Sequence, residues 1–396
     1  MLQLPTCKHL RFLMLSIFIG SFIIAREDIN TCKNYVLVSR ISNTGTSESA
    51  QPNIENISYL DEIESSVTPA IASFTFAEGA LSKYSDRSSP ESEVLIMLYV
   101  DSDSNSLSAL AIATDGSKNS YATLPLPHAT PDPKSSPALY VSSDEATLYA
   151  FWKDNSSGDI YYSIMSNTNI VWSSPASCGF SIDRGVAATE TNGIVNIAYN
   201  FSKKDDLSLA ELDPEMDTCV AAKKIPNSQT DSNPAATYTS SGNALTENEI
   251  TSYVAWRARK TEGQGNGKEK SENTVFVSEN FNQGYPVRLS DGSNVKTKSQ
   301  PVLAVYDRSL WLMWANSSQG DSLYIAVQTN NTWGASYSIG ENNTLTSTKI
   351  TMSAYGGFLY AAWSETGQSM SQTITKIEED VEGLAGVLAV GSRSVK

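Results

Sequence analysis

Histidine is almost absent from this chain of 396 residues, which excludes several kinds of catalytic site. Of its two histidines, only His128 lies beyond the first 25 residues. A zinc site built from several histidines is therefore excluded, and no C-x-x-C pair offers a thiolate site instead. A Ser-His-Asp triad would depend on His128, and the sequence contains no G-x-S-x-G elbow. Walker and Rossmann glycine motifs are also missing, so we predict neither a cofactor nor a metal.

Basic residues are scarce as well. The chain has 28 Lys and Arg against 43 Asp and Glu, for a net charge of −15. The first 25 residues carry Lys8 and Arg11 and no acid, so their removal lowers the charge to −17. Nucleic acids and anionic membranes are bound by clustered cations, so neither is expected as a partner.

Long apolar stretches are limited to the first 25 residues, which we predict to be a secretory signal. Lys8, His9 and Arg11 precede a mostly apolar stretch, residues 12–24, that is too short to span a bilayer. Ala25 is a suitable residue for cleavage, and an uncleaved signal anchor is the alternative. No later segment reaches the length of a membrane span. We therefore expect residues 26–396 to be secreted into the extracellular space.

One pattern recurs six times: an apolar run ends in a large aromatic residue, and a polar turn and a second strand-like run follow. Successive aromatic residues are separated by 53, 47, 57, 58 and 49 residues, and they are Tyr99, Trp152, Tyr199, Trp256, Trp314 and Trp363. A period near fifty made of short strands is typical of a β-propeller, with one repeat for each blade. We predict an all-β fold, a six-bladed β-propeller of four-stranded antiparallel blades, as a single domain over residues 26–396.

The predicted blades follow from this period. Their second strands are residues 94–100, 147–153, 194–200, 252–257, 310–315 and 358–364, and their third strands begin at Leu107, Ile160, Leu207, Thr274, Leu323 and Met370. The blades cover roughly residues 66–130, 134–182, 183–230, 231–294, 295–343 and 344–396. The last repeat has a weak outer strand, so residues 35–41 are predicted to supply it and to close the ring. Residues 383–390 are the alternative.

Cysteines and glycosylation sequons fit an exported protein. Cys7 leaves with the signal, so Cys32, Cys178 and Cys219 remain. Cys178 and Cys219 lie 41 residues apart near the ends of successive repeats, where a disulfide between blades and two separate buried thiols are both compatible with the sequence. In a eukaryotic secretory pathway, N-x-S/T sequons would carry glycans at Asn56, Asn155, Asn200, Asn316, Asn330 and Asn342.

Aromatic residues near the third strands are candidates for binding sugars, because Trp and Tyr offer a large rigid face and a polar edge. The candidate ligand-binding residues are Trp172, Trp333, Tyr162, Tyr324 and Arg257. Packing between blades is the alternative role for such aromatic residues. No catalytic residue is predicted.

The repeats 137–175 and 301–339 resemble blades of the fungal fucose-specific lectin family, as does the number of six repeats. The resemblance implies sugar pockets between adjacent blades, each using an Arg from the second strand, a Glu from the third strand and a Trp or Tyr from the next blade. The Glu position is held here by Ala109, Tyr162, Leu209 and Phe276, and second-strand arginines occur only in the fourth repeat, at Arg257 and Arg259.

Together these observations favour a secreted, lectin-like propeller that binds glycans or glycoproteins without catalysis. A propeller that binds proteins or serves as a scaffold is the first alternative. A glycosidase is the second, because hydrolysis needs only two of the 43 acids in the right place.

Overall fold

The computed structural model describes residues 35–43, 52–60, 65–77, 93–112, 121–126, 128–191, 193–201, 206–213, 216, 218–240, 250–258, 273–306, 308–316, 322–339, 350–355 and 358–365. Within these ranges the regular elements are β-strands. The described part of the chain therefore holds no helix with the length and apolar character needed to cross a bilayer.

The strands form six antiparallel sheets. The described part of the chain begins with a hairpin of β1 (Tyr35–Asn43) and β2 (Pro52–Leu60). Blade 1 contains β3 (Ala70–Thr75), β4 (Glu93–Val100), β5 (Leu107–Ile112) and β6 (Tyr121–Pro125). Blade 2 contains β7 (Ala138–Val141), β8 (Thr147–Lys153), β9 (Asp159–Ser166) and β10 (Ala176–Ser181). Blade 3 contains β11 (Ala187–Thr191), β12 (Ile194–Tyr199), β13 (Ser208–Asp213) and β14 (Thr218–Lys224).

The remaining strands complete the second half of the ring. Blade 4 contains β15 (Ala235–Ser240), β16 (Ile250–Arg257), β17 (Val275–Glu279) and β18 (Tyr285–Pro286). Blade 5 contains β19 (Val302–Tyr306), β20 (Ser309–Ala315), β21 (Leu323–Thr329), β22 (Thr332–Trp333) and β23 (Tyr337–Ile339), and both β22 and β23 pair with β21. Blade 6 is built from β24 (Ile350–Tyr355) and β25 (Phe358–Glu365), followed outward by β1 and β2.

The first strand of each blade faces the axis, and these strands neighbour one another in a closed circle, β3, β7, β11, β15, β19 and β24, with β24 next to β3. The predicted all-β propeller is thus confirmed. Residues 35–41 do join the sixth sheet, but at a different position from the one predicted. β1 pairs directly with β25 as the third strand, with Leu37 opposite Trp363, and β2 is outermost. The segments assigned to Met370 and to residues 383–390 lie outside the described residues.

Apolar surface between the blades forms the core. The second strands are apolar on both faces because each lies between two strands of its own sheet and between two neighbouring blades. Their aromatic residues are buried where each blade packs on the preceding one, which is described for Tyr99, Trp152, Tyr199, Trp256 and Trp314. Truncating a buried Trp to Ala typically costs about 3–5 kcal/mol, so these contacts are a main source of stability.

The polar turns between second and third strands are fixed by side chains that accept backbone hydrogen bonds. In blade 1, the Asp101 carboxylate accepts from the N–H groups of Asp103, at 3.1 Å, and Ser104, at 2.6 Å. In blade 2, Asp154 accepts in the same way from Ser156 and Ser157. Burial acts to raise the pKa of Asp154, but these hydrogen bonds outweigh it and hold the pKa below its ordinary value.

A disulfide joins the outer edges of two blades. Cys178 on β10 is bonded to Cys219 on β14, with their Cα atoms 5.0 Å apart. The bond closes a loop of 41 residues, for which the chain-entropy model gives a stabilisation of about 4 kcal/mol. It therefore ties blade 2 to blade 3 at a point where β14 is largely exposed.

Candidate functional site

A surface cleft of about 770 Å³ lies between blades 4 and 5. Blade 4 contributes the end of β17, the turn that follows it, and β18, while blade 5 contributes the end of β21 and its turn into β22. β18 is only two residues long, and Pro286 within it has no N–H to donate to a ladder. The cleft opens beside this short outer strand.

Three aromatic residues line the cleft at different depths. Trp333 is 7% exposed, Tyr253 is half-buried, and Tyr285 is 70% exposed. Trp333 is held in place by packing in the apolar cluster between blades 4 and 5. Tyr285 presents its ring to solvent at the rim of the cleft. The cleft therefore combines a fixed aromatic base with a free aromatic ring at its rim.

Polar groups of several kinds surround these rings. Arg288 and Glu279 supply one charge of each sign, and both are exposed. Four side-chain amides also line the cleft, those of Asn282, Gln283, Gln328 and Asn331. Burial and the nearby Glu279 carboxylate raise the pKa of Tyr253 above its ordinary value, so this phenol is neutral and can both donate and accept hydrogen bonds.

Such a lining suits a ligand with many hydroxyl groups and an apolar face. Amides, a guanidinium and a carboxylate together offer donors and acceptors in several directions. Exposed and half-buried aromatic rings offer flat apolar surface. The cleft volume lies within the range of about 300–1,000 Å³ that is usual for small-molecule sites.

A second cavity runs along the axis of the ring. Its wide part, of about 410 Å³, is lined by the first strands of the blades, and a narrower part of about 90 Å³ lies at the start of those strands. At the narrow end Asn233 links three other blades. It accepts from the Gly185 N–H at 2.8 Å and donates to Ser136 Oγ at 3.0 Å and Gln300 Oε1 at 3.1 Å.

Carboxylates are few in both cavities. Among the described lining residues, Glu145 is the only acid of the wide axial cavity and Glu279 the only acid of the cleft. Glu190 lies near the axial mouth but is 3% exposed and accepts hydrogen bonds from Tyr140 Oη, the Ser143 N–H at 3.0 Å and Ser143 Oγ at 2.6 Å. Glu190 therefore fixes the turn after β7. Nor do the described residues include a cluster of three metal-binding side chains.

The residues predicted to bind ligand are placed in two different settings. Trp333 lines the cleft. Trp172 and Tyr162 are 4% and 2% exposed and pack between blades. Tyr324 stacks on Trp314 with ring centroids 5.9 Å apart. Arg257 donates to the Asp231 carboxylate and to the Lys298 carbonyl. The ring faces of Trp172 and Tyr162 are thus covered by neighbouring blades, which is a packing role.

The predicted glycosylation sequons are similarly divided. Asn155 and Asn330 are exposed, and Asn316 is half-buried. Asn200 is 1% exposed and its Nδ2 donates to the Thr230 carbonyl at 3.0 Å, so a glycan at this position would be incompatible with the folded blade. Asn342 and the side chain of Asn56 lie outside the described residues.

Sequence reasoning missed Tyr285, Arg288 and Gln328 as site residues. In the structure Tyr285 and Pro286 pair with β17, and the Val287 N–H donates to the Val275 carbonyl at 2.9 Å. The feature of the sequence that marks this short strand is Pro286, because a proline has no N–H to donate to a ladder.

No family model and no curated protein matches this chain. Solved structures resemble it at low identity. The crystal structure of AofleA from Arthrobotrys oligospora is 8% identical with a TM-score of 0.49, covering 76% of this chain and 81% of that one. An α-L-arabinofuranosidase from Clostridium thermocellum is 9% identical with a TM-score of 0.38, covering 69% and 94%. TolB from Acinetobacter baumannii is 10% identical with a TM-score of 0.39, covering 85% and 64%.

Proposed function

We propose that this protein is a secreted, non-catalytic, lectin-like propeller that binds glycans or glycoproteins in the cleft between blades 4 and 5. The observation that carries the proposal is the lining of the cleft. It sets Trp333, Tyr253 and the exposed Tyr285 among amides and one charge of each sign.

The chemistry of a pyranose fits this lining. The C–H-rich face of the sugar stacks on an aromatic ring. The exposed ring of Tyr285 can stack in this way without any rearrangement of the core. The equatorial hydroxyls then hydrogen-bond to the amides of Asn282, Gln283 and Gln328 or to Arg288. These contacts involve one or two sugar residues at a time, so we expect modest affinity for a single site.

The distribution of acids supports binding rather than hydrolysis. Glycoside hydrolysis requires two carboxyl groups on either side of the scissile bond, about 5–10 Å apart. The described lining of the cleft supplies Glu279 alone, and that of the wide axial cavity supplies Glu145 alone. A glycosidase remains the alternative that a direct assay addresses.

Secretion is supported by the predicted signal at residues 1–25 and by the Cys178–Cys219 disulfide. Disulfides of this kind form and persist in oxidising compartments. The exposed sequons Asn155 and Asn330 are compatible with the same route.

A glycan array probed with the secreted protein tests the proposal. We expect binding to a subset of glycans, and Tyr285→Ala and Arg288→Ala should each weaken it about tenfold through loss of stacking or hydrogen bonds. The matched control is Phe201→Ala, because Phe201 is also a strongly exposed aromatic (59%) but follows β12 in blade 3. Silence across a broad array, or equal effects of all three variants, would overturn the proposal.

Protein binding is a second candidate function, favoured by one observation. Val220 on β14 and Met216 before it are 54% and 68% exposed on the outer edge of blade 3. Exposed apolar side chains on an outer strand can contact a protein partner. Co-purification that Val220→Asp abolishes, together with an inactive glycan array, would favour this function.

A further inference from the structure

The turn beside the cleft carries a glycosylation sequon. β21 and β22 are joined by Asn330 and Asn331, which have φ values of 51° and 59°. Positive φ at both central residues defines a type I′ hairpin turn, for which Asn is well suited. The sequon consists of Asn330, Asn331 and Thr332, and the last two of these residues line the cleft.

Asn330 is therefore both available for modification and close to the proposed binding site. It is exposed, at the tip of a tight turn. Two residues of extended chain separate it from Thr332, a distance of about 7 Å at most. The first two sugars of an N-glycan are longer than that distance, so a glycan on Asn330 is long enough to reach the rim of the cleft.

We infer that N-glycosylation of Asn330 regulates this site, because the attached glycan covers the cleft and competes with external glycans. The inference rests on the proposed function for the nature of the competing ligand. The occupant is a glycan tethered to the same chain, because the lining that suits an external sugar suits a tethered one equally.

The expected size of the effect follows from tethering. A short tether gives an effective concentration on the order of millimolar. If that concentration is about ten times the dissociation constant for the tethered sugar, then about one cleft in ten is free. The apparent affinity for an external glycan falls about tenfold in consequence.

The test begins with expression of the full chain in a eukaryotic secretory host and mass spectrometry of the peptide that carries Asn330. We expect this residue to be glycosylated. The wild type is then compared with Asn330→Asp and Asn330→Gly, two residues that tolerate positive φ and cannot be glycosylated. Asn155→Asp is the matched control, because Asn155 is an exposed sequon in the turn between β8 and β9 of blade 2.

Two measurements are made on each form. On the glycan array, both Asn330 variants should bind about tenfold more tightly than the wild type, and Asn155→Asp should bind as the wild type does. Nitration of Tyr285, with Tyr161 as internal reference, should be slower in the wild type than in the Asn330 variants. The nitration measurement requires no external ligand.

The outcomes separate the two proposals. An unmodified Asn330, or equal nitration and equal binding with and without its glycan, would overturn the regulatory inference and leave the binding function standing. Protection of Tyr285 in the wild type together with a silent array for every form would support the covering glycan and overturn the external glycan as ligand.

Discussion

At the scale of single residues, close contact between backbone and aromatic rings sets the tolerance of this fold to substitution. Gly284 lies in the turn before β18, directly against the indole of Trp256, which is fully buried. A Cβ added at Gly284 would lie 2.0 Å from Trp256 Cη2, closer than any two such carbons approach. The position therefore requires glycine for space and not for an unusual φ.

We expect Gly284→Ala to destabilise the protein by about 1–3 kcal/mol, because the buried indole must move within a packed core. The midpoint of urea unfolding followed by tryptophan fluorescence measures the change. Gly334→Ala is the matched control, since the nearest atom to its added Cβ is the Val327 carbonyl oxygen at 3.4 Å, an ordinary contact. Equal midpoints for the two variants would contradict the role of Gly284.

The residues of the candidate site were only partly predictable. Trp333 was identified because a tryptophan beside a turn stands out in the sequence, and the structure places it in the cleft. Trp172 occupies a comparable place in the sequence of blade 2, but it packs beside the outer strand of blade 1 and lines neither the cleft nor the axial cavity. The difference depends on the neighbouring blade, where β6 has five residues and β18 has two. A local sequence pattern does not show such a dependence on a distant part of the chain.

At the scale of strands, the second strand of each blade was the most predictable element. Residues 147–153 and 358–364 were assigned from apolar runs, and the structure has β8 at Thr147–Lys153 and β25 at Phe358–Glu365. Outer strands were much less predictable, since β14 is almost entirely exposed and β18 is too short to show a period. A strand buried on both faces has a nearly continuous apolar run in its sequence, whereas an exposed strand has no such run.

The β1–β2 hairpin yields a prediction at this scale. Deleting residues 26–45 should strongly destabilise the fold, because β25 would keep β24 but lose β1, and blade 6 would keep an open edge. A fall in thermal midpoint, or aggregation during refolding, is the expected result. Deleting residues 383–390 provides the comparison, and it should leave the midpoint nearly unchanged. An unchanged midpoint after deletion of residues 26–45 would show that the hairpin is dispensable.

At the scale of the whole molecule, a group of buried tyrosines near the axis links stability to alkaline pH. Burial raises the pKa of Tyr149 and of Tyr238 to about 12, with Asp144 and Glu190 adding to the shift of both. Burial and the hydrogen bond to Glu190 raise the pKa of Tyr140 further. In the unfolded chain these phenols titrate near pH 10.

The sign of the dependence follows from these directions. Each folded-state pKa lies above its unfolded value, so the contribution is complete below about pH 10 and is lost as the pH rises toward 12. Each tyrosine then lowers the free energy of unfolding by about 1.4 kcal/mol per pH unit. Urea unfolding at pH 8 to 11 measures the slope, and Tyr238→Phe should reduce it by the contribution of one group. An unchanged slope in that variant would refute the assignment.

The architecture as a whole could be predicted from the period of the aromatic residues, because the five whose surroundings are described are each buried at the contact of their blade with the preceding blade. The order of strands in blade 6 could not. Residues 35–41 were recognised as part of that blade. The pairing of Leu37 with Trp363 and the outermost position of β2, however, depend on contact between segments that are far apart in the sequence. No local sequence pattern predicts that contact.

The pairing of β1 with β25 also constrains the order of events during synthesis. The hairpin is made before blades 1 to 5, whereas its partner strand β25 is made after them. While blades 1 to 5 are synthesised, β1 lacks its partner strand β25 and the ring stays open. During this time the nascent chain is open to chaperones and to mispairing. The ring closes only after β24 and β25 have left the ribosome.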